Sequence, residues 1–209
     1  MTHTLRRFAL PAATIAALAL APLSVHAKGR GFDTNIQSPV NQPVKIEVVL
    51  SDDLAYRANN LPEKLRDRGS SRIGLRNGFS ANGYYGEDAL QYLVDETYEE
   101  LTEDFARRGI AQSDTAPLTL RVTLVDVKNN RPTHRQLSEQ VSLDFQSFGI
   151  GGAELKGELI GAAGESLGTM EYRWFDTLNG DGFDRGRPIW GDARRAISRF
   201  ANKASKTLS

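Results

Sequence analysis

The chain has 209 residues, with 26 Lys and Arg against 26 Asp and Glu, 40% hydrophobic residues and no cysteine. That composition fits one soluble globular domain. Without cysteine there is no disulfide framework, thiolate nucleophile, zinc–thiolate cluster, iron–sulfur site or lipid-modified N-terminal cysteine.

Residues 1 to 27 begin with Arg6 and Arg7, continue as an apolar run through Leu20, and end in Val25-His26-Ala27. This is the pattern of a secretory signal peptide with a small-x-small cleavage site. Pro11, Pro22 and Ser24 interrupt the run, so it suits a cleaved signal better than a spanning helix. The expected product starts near Lys28, lies outside the cytoplasm in the periplasm, and does not span the membrane. Its net charge is −2, because the signal carries two of the basic residues and no acid. A nearly neutral exported chain is a poor nucleic-acid ligand, since phosphate neutralisation supplies most of that affinity. His134 is the one histidine left in it, which excludes a multi-histidine metal site within one chain.

Residues 28–43 contain Gly, Asn and Pro with little apolar periodicity and are expected to form a flexible N-terminal arm. Val44 to Leu50 alternates and is β-branched, the mark of a first strand. The segment from Ser51 to Gly86 is expected to be mostly irregular, with a short helix after Pro62. It mixes cations and aromatics, and Arg72, Arg76, Phe79, Tyr84 and Tyr85 are its candidate partner-binding residues, because Arg and Tyr anchor interfaces. The same residues equally suit a mobile loop whose aromatics lock its end over the core.

The clearest helix is Glu87 to Arg108, with Leu90, Val94, Thr97, Leu101 and Phe105 on one stripe and Asp95, Glu96, Glu99, Glu100, Glu103 and Asp104 opposite. Gly109 ends it as a left-handed cap. Leu118 to Val127 alternates as a central strand, and Thr133 to Gln140 forms one helical turn after Pro132. Ala153 to Ile160 and Leu167 to Trp174 are strands joined by a hairpin at 162–165. The last helix is expected to be capped by Asp192 and to place Ala193, Ile197, Phe200, Ala204 and Leu208 on one face. The order βαβββα predicts a single α+β domain over 44–208. Its expected form is a mostly antiparallel four-stranded sheet with two amphipathic helices on one face.

Asp176, Asn179, Asp181 and Asp184 offer oxygen donors among glycines, as a calcium loop would. Their spacing misses the EF-hand pattern, with Pro188 where a bidentate Glu belongs, so a surface turn is the favoured reading. Gly149-Ile-Gly-Gly152 precedes a strand and lacks the lysine of a phosphate loop, which fits a bulge. The acids of the first helix read as a solvated face. The opposite charge of the last helix, at Arg194, Arg195, Arg199, Lys203 and Lys206, suits ion pairs between the two helices, or contact with anionic lipid or polysaccharide. No serine stands in a nucleophile elbow beside His134, and no catalytic residue or cofactor is assigned.

The runs Asn130 to Leu137, Ser147 to Ala153 with Gly164, and Trp190 to Phe200 resemble small uncharacterised envelope proteins and lipoproteins of Gram-negative bacteria. Those families are similar in layout to the α+β domains of the TolB N-terminal region and of CsgG-like envelope proteins. The resemblance spans about 44 to 208 and implies a periplasmic accessory or assembly role, with an envelope protein or outer-membrane component as partner. The missing lipid-attachment cysteine departs from the lipoprotein members. The functional expectation is a noncatalytic binding or assembly module of the cell envelope. The alternative is a periplasmic hydrolase using Asp/Glu or a bound cation.

Overall fold

The computed structural model describes residues 31–37, 39–62, 82–176 and 187–209. In chain order the elements are β1 (Gly31–Thr34), β2 (Val44–Leu50), α1 (Asp52–Tyr56), α2 (Glu87–Arg107), β3 (Leu118–Lys128), α3 (His134–Glu139), β4 (Gly152–Ile160), β5 (Ser166–Phe175) and α4 (Gly191–Leu208). The strands form one sheet in the order β1-β5-β4-β3-β2.

The α+β class stands, but the expected four-stranded, mostly antiparallel sheet is corrected to a mixed sheet of five strands among the described residues. β2 runs parallel to β3, with Val44 opposite Leu118 and Leu50 opposite Leu124. Parallel neighbours need a crossover, and the chain between them supplies one that contains α2. The fifth strand comes from residues 28–43, expected to be a flexible arm: Gly31–Thr34 pairs antiparallel with β5. Phe32 holds this short strand down, its ring centroid 6.3 Å from that of Phe200.

One face of the sheet and the two long helices make the core. Alternation in β3 sends Leu118, Leu120, Val122 and Leu124 inward, where they are buried. Leu90, Leu93, Leu101 and Phe105 of α2 meet them, as do Ala193, Ala196, Ile197, Phe200, Ala201 and Ala204 of α4. The alanine-rich face lets α4 lie close to β4 and α2. Thr97 is also buried, and its hydroxyl donates to the Leu93 carbonyl at 2.7 Å.

Gly109 ends α2 with φ +73°, and Ile110 N donates to the Phe105 carbonyl at 3.0 Å, closing the last turn. Across the helix pair, Arg194 Nε lies 2.6 Å from Glu96 Oε1, and Arg108 Nε donates to Ser205 Oγ at 2.8 Å. Two short helices complete the layout of the described residues. Ser51 caps α1, and Thr133 with Gln136 forms a reciprocal capping box on α3. The helix expected after Pro62 falls mainly on residues outside the described set.

The other face of the sheet carries charges. Glu47 accepts from Lys45 at 2.7 Å and from Arg121 at 3.2 Å, Arg173 reaches Glu154 at 3.1 Å, and Lys156 reaches Glu171 at 2.9 Å. The Lys45 ammonium and the Arg121 guanidinium together hold the Glu47 carboxyl below its usual range.

Candidate binding surface

β3 stops at Lys128, and much of the buried polar chemistry gathers just beyond it, at Asn129 and Asn130. Asn130 is buried; its Nδ2 donates to Asp192 Oδ2 at 2.6 Å, and its Oδ1 accepts from Asp192 N at 2.8 Å. The other Asp192 oxygen takes Arg187 Nη1 at 2.7 Å, and the same nitrogen reaches Asp176 Oδ2 at 2.8 Å. Those hydrogen bonds, with Asp176 foremost, raise the Arg187 guanidinium further above its ordinary value. Gly151 passes so close that a Cβ there would stand 2.6 Å from Asn130 Oδ1 and 2.7 Å from Asp192 Cβ. The glycine-rich run before β4 therefore serves close packing against this knot.

Asp192 is thus a joint between β3, β5 and α4, which corrects its expected role as a cap. The N-cap of α4 is Trp190, and Asp192 lies in the first turn with its carboxylate turned inward. Asp176, the described member of the oxygen-donor loop, is committed to Arg187. Asn179, Asp181 and Asp184 lie outside the described residues. Among the described residues no group of three or more His, Asp or Glu side chains is placed to hold a metal ion.

A second junction joins α1 to β3. Arg57 is buried, with Nη1 2.9 Å from Asp126 Oδ1 and Nε 2.9 Å from Asp53 Oδ2. Tyr85 is wholly buried beside it; its hydroxyl donates to the Val127 carbonyl at 2.8 Å, and its ring lies 5.7 Å from that of Trp190. Burial pushes this phenol far above its ordinary range. Tyr85, a candidate for a partner surface or for locking the end of the loop over the core, is an anchor inside the protein and is corrected as a partner-binding residue. Tyr84 is half-buried at φ +57°, and its amide and that of Gly86 donate to the carbonyls of Asn60 and Ala58. Arg72, Arg76 and Phe79 lie outside the described residues.

The exposed counterpart of these junctions is the loop between α3 and β4. Asp144 Oδ1 accepts from Gln146 N and Ser147 N, each at 2.8 Å, and Ser147 Oγ accepts from Asp144 N at 3.1 Å. Arg131 Nη1 donates to the Gln146 carbonyl at 2.8 Å, and Gly149 N donates to the Asn130 carbonyl at 2.9 Å. These bonds tie the loop backbone to the buried knot. The loop nevertheless holds Val141 fully in solvent and Phe145 76% exposed. The sequence reading missed both residues. Asp144-Phe-Gln-Ser147 is a side-chain-stabilised turn motif, and an aromatic inside such a turn was the available signal.

No family model matches this chain, and no curated protein matches it. Solved structures similar to it include the PelC dodecamer from Paraburkholderia phytofirmans, in a point-variant and an unmodified form. These share 9% and 11% identity, with TM-scores of 0.41 and 0.39; they cover 82% and 86% of this chain and 94% of their own. A Xanthomonas campestris protein of the family DUF330 is similar at 7% identity and TM-score 0.44, covering 82% of this chain and 85% of its own. Among the described residues no helix is long and apolar enough to cross a membrane.

Proposed function

We propose that the chain is a noncatalytic binding or assembly module of the bacterial cell envelope, exported to the periplasm after cleavage near Ala27. The observation that carries the reading is the 140–148 loop. Its backbone is fixed by its own side chains and by Arg131, yet it keeps Val141 and Phe145 in water. Exposed apolar side chains on a fixed backbone cost solvation in the free protein and little ordering on association, which favours a preformed contact. Residues 1–27, with their basic start, apolar run and small-x-small end, support export. The resemblance to small Gram-negative envelope proteins supports the compartment. The carboxylates that a hydrolase would draw on are spent in structural pairs: Asp176 and Asp192 share Arg187, and Asp53 and Asp126 share Arg57.

The test compares the wild-type protein with Val141→Ser/Phe145→Ser in a periplasmic and outer-membrane extract. Wild type is expected to be retained in a defined complex, and the double variant to be lost from it at an unchanged melting temperature. Equal retention of the two proteins would sink the reading. So would intact-mass data showing that residues 1 to 27 persist in the exported fraction.

A further inference from the structure

The cations of α4 divide into two flanks with different fates. Arg194 faces α2 and is satisfied by Glu96. Arg195, Arg199 and Lys203 follow one another at four-residue steps on the opposite flank, above β5 and β1. At 1.5 Å rise per residue they form a row about 12 Å long, with roughly 6 Å between neighbours.

Among the described residues no carboxylate lies within 4.0 Å of Arg199 or Lys203. Arg195 has Asp192 at 4.0 Å, and that carboxylate already serves Asn130 and Arg187. Beneath the row lie aromatic rings. The guanidinium carbons of Arg199 and Arg195 are 5.0 and 6.0 Å from the Trp174 ring centroid, and Lys203 Nζ is 5.5 Å from that of Phe32. Both rings are half-buried and inward-facing, Phe32 on the edge strand β1 and Trp174 on its neighbour β5. They hold long, rotamer-rich side chains in a line at little cost, so less entropy is lost when an anion is engaged.

We infer that this ledge binds a carboxylate-bearing polysaccharide, laid along α4 with successive acid groups on Arg195, Arg199 and Lys203. A guanidinium fork matches a carboxylate at two points, and a straight row of cations suits an extended polymer better than a single small anion. A bilayer is the poorer fit. The apolar residues of α4, Ala193, Ile197, Phe200, Ala204 and Leu208, are all in the core, so no apolar side chain of this helix accompanies the cations into lipid. A peptide strand is also a poorer fit, because mid-helix N–H groups are already bonded and the row offers side chains alone. Trp174 and Phe32 give the ledge an apolar floor, against which the C–H faces of sugar rings can rest.

The experiment titrates the mature protein with polygalacturonate at low ionic strength, using dextran as the neutral chain and phosphatidylglycerol vesicles as the anionic surface. Binding to polygalacturonate, lost at high salt and absent for dextran, is expected. Arg199→Gln/Lys203→Gln should weaken it about tenfold or more, since each charge neutralised removes a salt-dependent contact. Trp174→Leu should weaken it while the number of cations stays the same, a loss that a purely charge-counting surface would not show. Arg194→Gln, on the paired flank, should change it by less than about twofold. All four cation positions are exposed, so melting temperatures should be preserved and a folding defect is separable. The inference is overturned if polygalacturonate does not bind, or if the double variant binds as wild type does. It is equally overturned if vesicles bind more tightly and displace the polysaccharide, or if the double variant's one effect is to abolish self-association.

Discussion

Asp192 lies fully buried between Asn130 and Arg187, whereas Glu171, on the charged face of the sheet, meets Lys156 with about half of each side chain in water. Both are carboxylates paired with cations at ordinary distances, yet they have different energetic weight. Water screens the exposed pair and would solvate either partner alone. Asp192 and Asn130 are shut away from solvent, so water does not replace a partner lost at that carboxylate, although Arg187 and Asp176 at the rim of the knot keep some exposure. The distance of an ion pair says little about what it holds together; burial says more.

The sharpest way to break this contrast is Asp192→Ala. It strands the Asn130 amide and leaves Arg187 with Asp176 alone, and should cost about 3 to 5 kcal/mol, read as a lower urea midpoint at constant slope. Leu101→Ala provides an apolar yardstick at about 2 to 5 kcal/mol in the same assay. If Asp192→Ala costs much less than Leu101→Ala, the knot is a passive passenger of the core.

Tyr85→Phe tests a buried neutral polar group and should cost about 1 to 3 kcal/mol, because the Val127 carbonyl loses its donor. It also carries a pH signature. Burial raises the phenol's pKa in the folded protein above the unfolded value of about 10, so folded Tyr85 keeps a proton that the unfolded chain sheds. Its contribution is complete below about pH 10 and declines as pH rises past that point. Melting temperatures measured up the alkaline limb should fall less steeply in Tyr85→Phe than in wild type.

Lys156→Gln opens a pair on the exposed face and should shift stability by less than about 1 kcal/mol. The smallest effect is expected from calcium. Asp176 is already bonded to Arg187, so millimolar calcium should leave the melting temperature almost unchanged. A calcium-dependent rise that Asp181→Ala removes would make the 176–184 loop a genuine ion site.

The elements that were legible in the sequence are those whose burial leaves a period. β3 alternates Leu118, Leu120, Val122 and Leu124, and the α2 and α4 stripes follow three- and four-residue steps, so their type and extent were readable. Strand direction leaves no such mark: Val44 to Leu50 alternates in the same way whether it pairs parallel or antiparallel with its neighbour. β1 was hidden for a related reason. Gly31-Phe-Asp-Thr34 has one large apolar residue, and its extended form is specified by β5 and Phe200 rather than by its own pattern. Among the candidate residues, Tyr85 was found as notable but left open between a partner surface and a lock over the core, because an aromatic beside arginines looks alike at an interface and in a buried junction. Asp192 looked like a cap from its position before an apolar stripe, and the competition from Asn130 and Arg187 is visible in three dimensions alone. Val141 and Phe145 were passed over because scattered apolar residues in a turn-rich segment are ordinary on protein surfaces.

The pairing of β1 with β5 also sets an order in time. Thr169 N donates to Asn35 Oδ1 across 134 residues of chain, and this contact lies at the edge of the sheet opposite β2. β1 is synthesised ahead of every other strand, yet its partner is the last strand of the sheet to be made. Such a pairing pays its loop-closure entropy late and slows folding, while the hairpin of β4 and β5 forms from nearby sequence. Until α4 has packed on the sheet, Phe32 has no seat on Phe200, and until β1 docks the edge of β5 stays open to other extended chains. The four residues of β1 therefore act as a closing latch, and the interval before they dock is when this protein is most exposed to mispairing.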